Sequence, residues 1–275
     1  MSLLNPLHLN SVAHVTVQSP DLPVAVGRAT AFCFVDRADD TSPGYFYVVT
    51  CAHIFKDMPS NAQTAVRFNT PAGLRNMIAV FGDWATYVSD DVAVLRLDET
   101  FLAKQGGEIW PWNKDHIVTR ENADQNDIHE GREVFILGYP IGWRPATLDY
   151  PVVRGGMIGQ IRGWIDGYHS SILVSGTVFG GNSGGPVLLY PKQEDEPRSQ
   201  GLPEVHLLGM VSNYKLAPSG ENAGITDIVP MDTIYEHIET HTRSDRAPQW
   251  TVKETTYAVT TNATGPNCDI TVPTR

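Results

Sequence analysis

Short runs rich in Val, Ile, Phe and Tyr, each bounded by Gly, Pro, Asn or Asp, recur along most of this 275-residue chain. That rhythm predicts antiparallel β-structure, in which brief strands of branched and aromatic residues turn back to find a partner. Candidate strands fall at 12–18, 29–36, 45–51, 64–69, 75–81, 84–88 and 91–97. After a polar stretch at 113–130 they resume at 132–137, 152–162, 170–175, 185–190, 205–213 and 224–229. The 24 glycines and 19 prolines sum to 43 of 275 residues, above the usual share, so turns are plentiful and a helical bundle is disfavoured.

One segment breaks the rhythm. In 231–241, MDTIYEHIETH, Ile234, Ile238 and His241 share a face behind Asp232 as a cap, which predicts a helix. Beyond it, 245–275 is rich in Thr, Asn and Pro and reads as a strand that docks back or as a polar tail. The chain exceeds one average domain of roughly 150 residues and falls short of two large ones. The stretch 113–130 is its natural divide, and the charged, proline-bearing 191–204 is a surface loop.

Charge narrows the partners. Twenty basic residues against 31 acidic ones leave a net of −11, which repels phosphate and disfavours nucleic acid and anionic membrane. The opening MSLLNPLHLN has neither the basic segment nor the apolar run of a targeting signal, which gives an expectation of a cytoplasmic protein. Cys33, Cys51 and Cys268 are odd in number and widely spaced, so they form neither a disulfide framework nor a zinc-binding pattern. They read as reduced thiols.

Three short segments carry chemistry. In FGGNSGGPVLLY, 179–190, four glycines surround Ser183 and allow a tight turn with its amides exposed, the setting in which a nucleophilic serine meets an oxyanion. In YFYVVTCAHIF, 45–55, an apolar strand ends at His53, whose imidazole suits general base and then general acid work. In SDDVAVLRLD, 89–98, Asp91 opens a strand and is placed to orient an imidazole. Taken singly, each has a plainer reading: an incidental serine in a glycine hairpin, a structural histidine, a turn aspartate. Their order, His53, Asp91, Ser183, is that of one known arrangement of the serine triad.

On these residues the chain resembles the chymotrypsin/trypsin-like serine peptidases, with bacterial trypsin-like and Deg/HtrA peptidases nearest in flavour. VVTCAHIF resembles the family's histidine strand, DVAVLRL its aspartate strand and GNSGGP its nucleophile turn. GRATAFCF, LGYP and LLGMVSNY add matches in the same order, over about residues 10–240. The resemblance implies an all-β fold of two six-stranded antiparallel β-barrels with a C-terminal helix. The barrels would span 10–112 and 131–230, joined by the linker 113–130 and followed by the helix at 231–241 and the tail at 245–275. It implies catalysis by His53, Asp91 and Ser183, an oxyanion hole from the amides of Gly181 and Ser183, and no metal or other cofactor. The substrate would be a protein or peptide.

The same resemblance sets the pocket walls at Thr177, Val178, Ser212, Asn213, Tyr214 and Gly224. None is acidic, so a small or medium apolar side chain is expected before the scissile bond, and Tyr214, where the family has glycine, narrows the space. Asn182 stands where activated trypsins use an aspartate to bind a newly cut N-terminus, so activation of that kind is not expected. Two other classes compete. Gly181 to Gly185 also fits the G-x-S-x-G elbow of esterases, which requires a helix after the serine, whereas PVLLY predicts a strand. A peptidase fold kept only to bind peptides is the other. His237 and His241, four apart, could chelate a metal, but HIETH lacks a third ligand and suits a helix's last turn.

Overall fold

The computed structural model describes residues 4–21, 27–37, 44–70, 73–97, 109–125, 128–142, 149–191, 205–243 and 253–254. The first half holds β1 (Val12–Gln18), β2 (Gly27–Asp36), β3 (Tyr45–Thr50), β4 (Gln63–Thr70), β5 (Gly73–Val80), β6 (Ala85–Tyr87) and β7 (Val92–Leu97). After a short helix α1 (Arg120–Gln125) come β8 (Glu133–Gly138), β9 (Val152–Gln160), α2 (Arg162–Ile165), β10 (Ile172–Ser175), β11 (Pro186–Leu189), β12 (Leu207–Leu216) and β13 (Asn222–Pro230). The chain then enters α3 (Met231–Arg243) and a two-residue strand β14 (Lys253–Glu254).

β8 to β13 close into a six-stranded barrel in the order β10-β13-β12-β11-β8-β9. The first half curls into a sheet ordered β14-β5-β4-β1-β2-β3-β7-β6, with β14 laid on the β5 edge opposite Met77 and Ile78. The double-barrel architecture expected from the sequence is present, with the first sheet curled rather than closed. β14 answers the question of the tail for two of its residues; the rest of 245–275 lies outside the described residues.

Most strand limits agree with the sequence reading to within two or three residues, and the differences are local. The run expected at 152–162 ends at Gln160, because Glu130 accepts hydrogen bonds from the N–H groups of Ile161 and Arg162 and the chain turns into α2. The helix begins at Met231, so Asp232 lies inside its first turn, where its Oδ1 accepts from the Thr233 N–H at 2.7 Å. The polar stretch at 113–130 carries α1 and a 3₁₀ turn at Lys114–His116. Among the described residues, no helix is long and apolar enough to cross a membrane.

Period-2 alternation explains why strands of the first half are apolar on both faces. On β2, Ala29, Ala31 and Cys33 face the core of the first half, while Phe32 and Phe34 face a second cluster. On β7, Ala93 and Leu95 go one way and Val92 and Val94 the other. That second cluster also takes Leu137, Tyr139, Leu207 and Met210 from the other half and Ile234 and Ile238 from α3. It is a shared core between the two halves, and it includes Cys51 and Val92, close in sequence to His53 and Asp91.

Candidate active site

β3 is buried along its last four residues and carries the chain through the fully buried Thr50 and Cys51 into a 3₁₀ turn, Ala52–Phe55. Phe55 anchors that turn by stacking on Phe81, with ring centroids 4.6 Å apart and planes within 4°. His53 is thereby presented outward, its side chain 44% exposed. Next to it runs β7, paired so that Thr50 faces Ala93. The residue before β7 is Asp91, in the left-handed region at φ 57° and closing a 3₁₀ turn at Val88–Asp90, so it precedes the strand instead of opening it as the sequence suggested. An aspartate tolerates that conformation better than most residues.

The two side chains meet. Asp91 Oδ1 accepts from the His53 backbone N–H at 2.9 Å, and His53 Nδ1 lies 3.0 and 2.9 Å from Oδ1 and Oδ2. An ionised carboxylate only accepts, so Nδ1 carries the proton and the neutral ring keeps its lone pair on Nε2. The Ser212 hydroxyl also donates to Asp91 Oδ2, at 2.5 Å. Burial pushes the Asp91 carboxyl up, but the hydrogen bonds from the His53 side chain and Ser212, with the imidazole charge and the His53 N–H, outweigh it and hold the group below the usual carboxylate range.

Ser212 arrives there through a bulge. The β12–β13 register passes from Val211↔Ile228 to Asn213↔Asp227, leaving Ser212 as the extra residue. A bulge re-aims a side chain, and this one turns toward Asp91 a serine that the sequence reading put in the pocket wall. Nothing in the sequence marks the bulge.

Ser183 sits in the glycine turn before β11, so the chain continues as strand and not as the helix an esterase elbow needs. Gly181 at φ 97° and Gly184 at φ 84° take conformations open to glycine. A Cβ on Gly184 would also drive into the Thr30 carbonyl. The Gly180 carbonyl accepts from the Ile141 N–H at 2.6 Å. Across that trans peptide, the Gly181 N–H must point the opposite way. Among the described residues, neither the Gly181 nor the Ser183 N–H has an acceptor. Ser183 Oγ donates to the Ser212 carbonyl at 3.3 Å, and no hydrogen bond joins it to His53 in this arrangement.

The other expected wall residues converge on the β12–β13 hairpin. Asn222 Nδ2 donates to the Val178 carbonyl at 2.6 Å, and Thr226 Oγ1 to the Gly176 carbonyl at 2.8 Å. The Gly176 N–H donates to the Gly224 carbonyl at 2.9 Å. Val178 points into the barrel core, Thr177 and Asn213 are exposed, and Tyr214 is half-buried against the same core. Asn222 and Thr226, which sew the wall together, were not singled out from the sequence. Neither were Thr30, Thr50 and Tyr139 beneath the serine turn.

Cys51, His53 and Asp91 bring potential metal ligands within 4.8 Å of one another. The set does not fit a metal as it stands. Burial raises the Cys51 thiol well above its usual range, the nearby Asp91 charge adds to that, and its Sγ donates to the Val211 carbonyl at 3.1 Å. Asp91 is meanwhile occupied by His53 and Ser212. His237 and His241 go to separate tasks: His237 Nε2 lies 2.9 Å from Asp90 with its ring stacked on Tyr87, and His241 packs edge-on to Tyr47.

Two β-halves that share a core, with His53 and Asp91 meeting on one and the glycine turn of Ser183 on the other, make a double-barrel protein. Comparison with known families makes the assignment definite: residues 29–192, more than half of the chain and including His53, Asp91 and Ser183, match the trypsin-like peptidase domain, and the chain belongs to that family. It is a peptidase by class. No curated protein matches the sequence.

Proposed function

We propose that the chain is a serine endopeptidase working through His53, Asp91 and Ser183. The observation that carries this reading is the two-oxygen hold of Asp91 on His53 Nδ1, which leaves the Nε2 lone pair for a proton from Ser183. Ser183 Oγ attacks the scissile carbonyl while Nε2 takes its proton. The same proton then goes to the leaving amine, and water, activated in turn by His53, releases the acyl group. Asp91 orients the imidazole and stabilises its charged form. The N–H groups of Gly181 and Ser183, without an acceptor among the described residues, are the donors available to the oxyanion.

The substrate is a peptide or protein segment with a small or medium apolar side chain before the scissile bond. Thr177, Ser212, Asn213, Tyr214 and Gly224 bring no charge to the wall, and Val178, expected there, is buried in the barrel core. An active-site fluorophosphonate should label the wild type and leave Ser183→Ala unlabelled, and a peptide library should favour Ala, Val or Leu over Arg, Lys and Glu. Equal labelling of the two proteins would end the nucleophile assignment, and a strong charged preference would end the pocket assignment.

One observation favours a second reading, a latent or peptide-binding state: Ser183 donates to Ser212 and not to His53. Catalytic hydrogen bonds are often loose before substrate arrives, so the first reading accommodates it. A folded wild type that resists the probe and still binds peptides would favour the second.

A further inference from the structure

Beneath the serine turn, one residue of the first half uses every polar group it has. Thr30 on β2 is fully buried, on the strand face that also presents Phe32 and Phe34 to the shared core. Its N–H donates to the Ser183 carbonyl at 2.8 Å, and its carbonyl accepts from the Thr50 hydroxyl at 2.7 Å. Its own hydroxyl donates to the Gly181 carbonyl at 2.7 Å and accepts from the Tyr139 N–H at 3.0 Å. A hydroxyl has one proton to give, and here its acceptor is the carbonyl of a candidate oxyanion residue. The two carbonyls that flank Gly181 are therefore both anchored, that of Gly180 on Ile141 and that of Gly181 on Thr30.

We propose that Thr30 is the positioning residue of the oxyanion turn: its hydroxyl, clamped between the Gly181 carbonyl and the Tyr139 N–H, fixes the peptide that follows Gly181 while Ile141 fixes the one before it, and the two anchors together keep the Gly181 N–H turned toward the reacting carbonyl. This rests on the peptidase reading above and adds a role that substrate never touches. Glycine populates positive and negative φ alike, so its own preferences do not hold Gly181 at φ 97°, and with the Gly181 carbonyl released the preceding peptide is free to turn and swing the Gly180 carbonyl to where the N–H must be. Thr30's backbone carbonyl also accepts from the hydroxyl of Thr50, three residues before His53, so the same residue ties the nucleophile turn to the strand that carries the base. Ser183 and His53 come from different halves, so their spacing depends on such a tie.

Thr30→Val keeps the shape and removes the hydroxyl; Thr30→Ser keeps the hydroxyl and removes the methyl. In Thr30→Val, kcat for a peptide ester should fall by about 10²-fold, the scale of losing one oxyanion donor, with KM within about threefold of the wild type. Thr30→Ser should recover most of kcat. A role confined to stability would leave kcat unchanged for the folded fraction, measured by titrating active sites, and that result would overturn the proposal. A crystal structure of Thr30→Val gives a readout independent of turnover: a rotated Gly180–Gly181 peptide supports the proposal, and an unmoved one overturns it. Should Thr30→Val fail to fold, Thr30→Ala compared with Thr30→Ser carries the same test, with the same split expected. Unchanged kcat in the Thr30 variants beside a labelled wild type counts against Thr30 alone, whereas an unlabelled, folded wild type counts against the peptidase reading.

Discussion

Asp91 shows how much one carboxylate depends on its surroundings. Its left-handed backbone lets one side chain accept from the N–H and the ring of His53 at once, and Ser212 completes the shell. With its folded pKa held below the unfolded value, it contributes stability that is present in full above the ordinary carboxylate pKa of about 4 and is lost as pH falls through the folded value. Asp91→Asn should therefore unfold at lower urea than the wild type at pH 7, with the gap closing on acidification below the ordinary carboxylate range. A gap that is constant with pH would show that the carboxylate's charge is not what stabilises the site. At this scale the sequence singled out the three candidate residues, because each stands at the end of a recognisable run. It did not show Ser212 beside Asp91, since that depends on a bulge in a pairing that sequence does not print.

At the scale of elements, α3 does more than end the chain's compact part. Its apolar face places Ile234 and Ile238, both fully buried, in the core shared by the two halves, and its polar face sets His237 on Asp90 and Tyr87, next to Asp91. Ile238→Ala removes a buried side chain from a core that cannot collapse freely, and should lower unfolding free energy by roughly 2–5 kcal/mol in urea titration. A change under about 0.5 kcal/mol, the range of surface substitutions, would mean the helix is only loosely docked. The helix was legible from the spacing of its isoleucines. Its start was not: Asp232 lies in the first turn instead of capping it.

For the whole molecule, the decisive feature is that alternate residues of β2, β3 and β7 enter different cores. Neither half owns the shared cluster, and removing one would expose Phe32, Phe34, Tyr47, Leu137 and Tyr139 to water. Urea unfolding followed by far-UV circular dichroism and by tryptophan fluorescence should give coincident single transitions. Two separated transitions would show halves that fold alone.

The sequence by itself determined the β-rich class, the position of most strands, the terminal helix and the three residues in triad order, because alternation, turn residues and glycine requirements are local properties read within a few positions. Tertiary structure alone decided which groups those residues meet. Thr30 meets Gly181 across 151 positions of chain, and Ser212 meets Asp91 across 121. Such contacts arise where two separately patterned sheets are pressed together, and their geometry depends on how the shared core packs, which no single run of residues encodes.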